Sequence, residues 1–240
     1  VKENAKMQNQ AEQKKERRRE ERLQREAQTQ AAERARRLRT RIFGAVGAGV
    51  VLLLALFAIS NSGGGSSAKT GGKYPYAVGQ PGPGQPAAPI SLPSTQGGQF
   101  SLAAERGKTV LLYFQEGLSC QPCWDQLSDL ERQGSKVRAL GIDRMISITT
   151  DELGQIRQKA ADEGLNTPIL SDSNLAVSKA YGANQFGMMG DSRDGHSFII
   201  IGPDGRVRWR ADYGGAPNYT MYVPVTRLLS DMRKGLRSGA

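Results

Sequence analysis

The sequence predicts an α/β domain carried behind a membrane anchor, and three observations lead there. A continuous apolar run at 110–114, of the kind found in strands covered on both faces, is followed by apolar residues at helical spacing. The same alternation of strand and helix signals recurs downstream. An uncharged stretch, residues 42–60, separates a basic tail from a segment rich in Gly, Pro and Ser.

Residues 1–41 hold 14 Lys or Arg and 7 Asp or Glu, so +7 of the chain's formal net charge of +10 sits in this tail. Opposite charges four residues apart, such as Glu21 with Arg25 and Glu33 with Arg37, suit a solvated helix. Met7, Leu23 and Leu38 are too sparse for a coiled-coil seam. No zinc-finger spacing or RNA-binding aromatic motif accompanies the basic run, so no nucleic-acid partner is expected.

Residues 42–60, IFGAVGAGVVLLLALFAIS, are long enough and apolar enough for one transmembrane helix. Many Lys and Arg precede them, while only Lys69 and Lys73 follow closely, which places the N-terminus in the cytoplasm and the rest outside. Ala58 and Ser60 make a weak cleavage site, but the charged stretch ahead is longer than a signal peptide's. A single-pass, uncleaved anchor in the cell membrane is expected. Residues 61–89 then read as a flexible tether, and 90–240 as the folded domain.

Within that domain, QFSLAAERGKTVLLYF predicts an extended segment, a turn at 106–108 and a central strand from Val110 to Phe114. Trp124, Leu127 and Leu130 mark a helix from Cys120 that stops near Gly134. RMISIT is a strand; Thr150 is a candidate cap for a helix ended by Gly164, with Asp151 and Glu152 at its positive end. Ile169 and Leu170 suggest a short strand, and Asp172 to Asn174 cap a short helix closed by Gly182. SFIIIGPDGRVRWRAD reads as two strands around a turn, and Leu228, Leu229 and Met232 as a final helix.

The stretch GLSCQPCW holds the only two cysteines, Cys120 and Cys123. Two intervening residues let both sulfurs meet across the first turn of a helix, so the pair can open and close as a disulfide. As a structural staple so short a loop yields only about 2 kcal/mol, against about 4.7 for a long one. A closed zinc site needs four ligands, more than two Cys and the single His196 supply. The spacing therefore points to thiol redox chemistry.

Together, FSLAAERGKTVLLYF, CQPC, PILSDSNLAVSKAYG and FIIIGPDGRVRW, across nearly all of residues 90–212, resemble the thioredoxin-like superfamily. The likeness is closest to its redoxin branch, the alkyl hydroperoxide reductase and thiol-specific antioxidant family. It implies a central mixed sheet flanked by helices, with Cys120 at a helix N-terminus as nucleophile and Cys123 as resolving thiol. Pro122 suits the first helical turn. The activity so implied is thiol–disulfide exchange with exported thiol or disulfide proteins or a membrane redox partner, without a cofactor; a thiol peroxidase is the alternative.

The chain departs from the family at marked positions. Peroxiredoxins carry Thr or Ser three residues before the attacking Cys and Pro four before that, where this chain has Gly117 and Tyr113. Thioredoxins carry Trp before the first Cys and a cis-proline opposite the pair, where this chain has Ser119 and the segment GHSF. Glu116 and Asp125 flank the pair as solvated carboxylates able to shuttle protons, and Trp124 is expected to pack. DGHSFIIIGPDG also resembles the histidine segment of Sco-type copper chaperones, whose cysteines are spaced by three residues. That likeness implies a different function, copper binding by Cys120, Cys123 and His196, with Met188 and Met189 as further soft ligands.

Overall fold

The computed structural model of the chain describes residues 72–238. The charged tail, the expected span at 42–60 and the start of the tether lie outside the described residues. Among those described, no helix is long and apolar enough to cross a membrane.

Strand β3 (Val110–Phe114) is the centre of the fold, and all five of its side chains are buried. It pairs in parallel with β4 (Arg144–Thr149), which pairs in parallel with β5 (Ile169–Ser171). On its other side it runs antiparallel to β6 (Ser197–Ile201), and β6 to β7 (Val207–Asp212). The sheet order is thus β5-β4-β3-β6-β7, a mixed sheet with its purely apolar strand in the middle. A separate hairpin, β1 (Ser91–Pro93) with β2 (Gln99–Ser101), precedes it.

Helices cover both faces, which is why β3 alternates between two cores rather than between core and water. Leu111 and Tyr113 face Trp124, Leu127 and Leu130 of α1 (Gln121–Arg132) and, on the same side, Leu228, Leu229 and Met232 of α5 (Val225–Ser238). A short α2 (Gly134–Arg138) follows α1. Leu112 and Phe114 face the opposite core, with Ile90, Leu102 and Val177 of α4 (Ala176–Ala180).

The turn chemistry is as the sequence predicts at most joints. Asp172 accepts hydrogen bonds from the backbone of Val177 and Ser178, and Asn174 from Ala176, at the start of α4. Gly205, in the left-handed region at φ 74°, closes the turn between β6 and β7. One cap differs. Helix α3 (Leu153–Asp162) begins after Glu152 and no side chain caps it; Thr150 plays no such part, and Asp151 turns away towards the loop before α1.

The second half of the tether is also different from its composition-based reading. Ala77 pairs with Asp212 and Pro86 with Arg206, so the chain runs along β7 well before residue 90. Tyr76 packs edge-on against Trp209 and Tyr213. The anchor point is a fully buried ion pair, Arg210 with Asp212 at 2.8 Å, whose carboxylate also accepts the Gly79 N–H at 2.7 Å. Arg210 in turn donates to the Pro81 carbonyl. Gly and Pro permit this path because their small or hydrogen-free backbone lets the chain approach closely: a Cβ on Gly79 would lie 2.6 Å from Arg210 Nη2.

Removing one partner of a buried pair leaves the other charge uncompensated, at a cost of about 3–5 kcal/mol. Asp212→Ala is therefore expected to destabilise the domain by that amount in urea unfolding, and to make residues 77–86 newly sensitive to protease.

Candidate active site

Six residues join β3 to α1, and their path is set by buried polar contacts. Gln115 donates its backbone N–H to Ile148 and its side-chain amide to Ser147. Gly117 then turns at φ 79°, where a Cβ would lie 1.7 Å from Asp151 Oδ2 and 2.2 Å from Thr149 Oγ1. That carboxylate oxygen accepts the Leu118 N–H at 2.7 Å and the Thr149 hydroxyl at 3.0 Å. Its other oxygen meets Arg193 at 2.7 Å, and Arg193 also donates to the Glu116 carbonyl.

Downstream of the turn, the Gly117 carbonyl accepts the N–H of Cys120 at 2.9 Å and the indole N–H of Trp124 at 3.0 Å. Trp124 is fully buried, so the packing residue expected from its spacing also fixes the loop. Cys120 stands at the N-cap of α1 and its carbonyl accepts from Cys123 and Trp124. Pro122 lies in the first turn. Cys120 and Cys123 are joined by a disulfide.

Cys120 retains 5% of its surface while Cys123 has none, and Ser119, Gln121 and Pro122 around it are exposed. An incoming thiol therefore meets Cys120 first. On reduction, the N-terminal end of α1 is a setting that favours a negative charge on Cys120.

The sites expected to flank the pair are distributed unevenly. Glu116 is buried rather than solvated, because the loop before β6 closes over it and the Met188 N–H donates to its Oε1. Asp125 is exposed and accepts from Gln121 on the helix surface. Met188 and Met189 are exposed on that loop. Asp194, buried on the same loop, has its carboxyl pushed well above the ordinary range by burial, with the charges of Asp172 and Asp151 adding to the effect.

His196 is fully buried just before β6 and reaches the cysteines indirectly. Its Nδ1 lies 3.0 Å from the Tyr113 hydroxyl, which is 3.2 Å from the Cys123 carbonyl oxygen. The imidazole stacks edge-on against Tyr113 and Phe198, and Nε2 has no hydrogen-bond partner. Among the described residues, no three or more His, Cys, Asp or Glu side chains are grouped to hold a metal ion. Tyr113, noted in the sequence only as a departure, is the side chain that links imidazole and helix. Met221, which carries no sequence signal at all, packs on the disulfide.

With this geometry in view, the wider similarities are informative. The AhpC/TSA family model matches residues 83–210, more than half the chain. The chain belongs to the AhpC/TSA family. Peroxiredoxin Bcp of Escherichia coli K12 is 30% identical over 127 residues, covering 52% of this chain and 81% of that protein. Peroxidoxin BcpB of Mycobacterium tuberculosis shares the fold at TM-score 0.53 and 18% identity, over 63% of this chain and 96% of its own. AhpC of Enterococcus faecalis does so at TM-score 0.52 and 14% identity, over 65% and 90% respectively. This AhpC/TSA protein is a thiol-based oxidoreductase of the redoxin branch with a thioredoxin-like fold.

Burial holds the His196 pKa down to about 3, against an unfolded value near 6.5. The folded state thus binds fewer protons below pH 6.5, and stability falls as pH drops from there towards 3, by up to about 1.4 kcal/mol per unit. The ring signals of His196 in NMR are expected to keep their neutral positions from pH 8 to pH 4. A transition near pH 6 would mean that the imidazole charges and helps to hold a thiolate.

Proposed function

We propose that this AhpC/TSA protein is a membrane-anchored thiol–disulfide oxidoreductase whose domain works outside the cytoplasm on exported proteins or a membrane redox partner. The observation that carries this reading is the disulfide itself. Its two sulfurs share the first turn of α1, Cys120 alone reaching the surface. Such a pair exchanges without rearranging the fold.

In the oxidising direction, a partner thiolate attacks Cys120 Sγ and the electron pair of the broken S–S bond passes to Cys123. A second partner thiolate then attacks the partner's own sulfur and releases Cys120 as thiolate. In the reducing direction, the Cys120 thiolate opens a partner disulfide and Cys123 resolves the mixed intermediate. Peroxide reduction, the activity in the names of several relatives, is less well supported by the side chains at hand. Gly117 offers no hydroxyl three residues before Cys120, and the Tyr113 hydroxyl is engaged with Cys123 and His196. The anchored, outward-facing placement is supported by the apolar run at 42–60 and the basic residues ahead of it.

Resolution by Cys123 makes the two cysteines unequal. In cells, full-length Cys123→Ser is expected to accumulate mixed disulfides with partner proteins through Cys120, and Cys120→Ser is not. A thiol reagent that cannot cross membranes is expected to label reduced Cys120 in intact cells. Absence of adducts, together with thiol loss to hydrogen peroxide much faster than that of free cysteine, would make peroxide the substrate instead. Labelling only after lysis would overturn the orientation.

A further inference from the structure

The disulfide has its own small apolar surroundings. Cys120, Cys123 and Met221 form a buried cluster separate from the two cores on either side of the sheet. Met221 is 8% exposed, so the thioether is a wall of the cysteine site rather than a surface residue. With Cys120 only 5% exposed and Met221 packed in the same cluster, the thioether is part of the apolar enclosure of the two sulfurs.

The loop carrying Met221 is anchored to α1 after it, and before it Thr220 and Tyr219 donate their N–H groups to the Tyr213 and Gly215 carbonyls beside an exposed stretch. After it, Tyr222 donates its hydroxyl to Asp129 and Val223 donates its N–H to Gln126 Oε1 at 2.7 Å, both on α1. Before it, residues 216–219 are exposed, and Tyr219 sits in the left-handed region at φ 42°, a conformation that costs a bulky residue energy. Methionine is unbranched, with three rotatable bonds, so it can fill the space over the sulfurs and also leave it.

We propose that Met221 is the access-controlling residue of the Cys120–Cys123 site, a cover whose displacement precedes attack on Cys120. This rests on the oxidoreductase reading above. The covered step is ordinary exchange. One thiolate attacks Cys120 Sγ, the S–S bond breaks, and its electron pair goes to Cys123, which takes up a proton. A second thiol displaces Cys120, so two thiols are oxidised to one disulfide while the protein gains two electrons and two protons. Met221 exchanges neither protons nor electrons in this sequence. Removing it therefore speeds the forward and reverse reactions alike and leaves the equilibrium where it was.

Relaxation of the full chain in mixtures of glutathione and glutathione disulfide, followed by tryptophan fluorescence, separates the two rate constants. Met221→Ala is expected to raise both at least tenfold with their ratio unchanged, and Met221→Leu, which refills most of the volume, to bring them back towards wild type. Tyr222→Phe loses only the bond to Asp129 and is expected to raise both by a smaller factor, so the test survives if Met221→Ala folds poorly. Unchanged rates in both Met221→Ala and Tyr222→Phe, or a shift of the ratio instead of both rates, overturns the cover. Glutathione attacks any disulfide it can reach, so this result does not depend on the protein's own partners. A failure to trap partners through Cys120 would remove exchange with partner proteins as the pair's task and leave the cover of the disulfide standing.

Discussion

Gly117 is the point at which the chain leaves the sheet for α1, and no other residue fits there. Its φ of 79° excludes most side chains, and a Cβ would overlap the Asp151 carboxylate that receives the Leu118 N–H. Asp151 is itself fixed by Thr149 and Arg193, so the end of β4, the loop before β6 and the start of α1 are tied to one carboxylate. That arrangement presents Cys120 at a helix N-terminus while burying Cys123.

Much of the fold was legible in the sequence, for physical reasons that apply to its central elements. Val110–Phe114 is buried on both faces and therefore reads as an uninterrupted apolar run; RMISIT matches β4 residue for residue. Gly205, Gly182 and Asp172 carry turn and cap chemistry that is local to the chain. The tether from 77 onward was misread because Gly and Pro, which signal flexibility in isolation, here let the backbone lie against Arg210 and Asp212. Thr150 looked like a cap because pattern alone does not reveal that Asp151 is drawn off to Leu118 and Arg193.

The candidate site was legible in its sulfurs and obscure in its neighbours. Spacing alone marked Cys120 and Cys123. The roles of Tyr113, Arg193 and Met221 depend on contacts across 10 to 101 residues of sequence, which no local pattern encodes. His196, expected in the space opposite the pair, lies in a neutral, buried setting behind Tyr113, whose hydroxyl reaches the Cys123 carbonyl. Within a family whose relatives bear peroxiredoxin names, the chain carries its cysteine pair after a loop that leaves β3 just past Tyr113 and turns at Gly117.

We propose that the Cys120–Cys123 disulfide is a working redox pair and not a staple. Its most direct test is the reduction potential of the full chain, read as the fraction of oxidised pair across a series of glutathione buffers. A reversible two-electron transition above about −300 mV is expected. A pair that stays oxidised throughout, as structural disulfides below about −300 mV do, would contradict the claim.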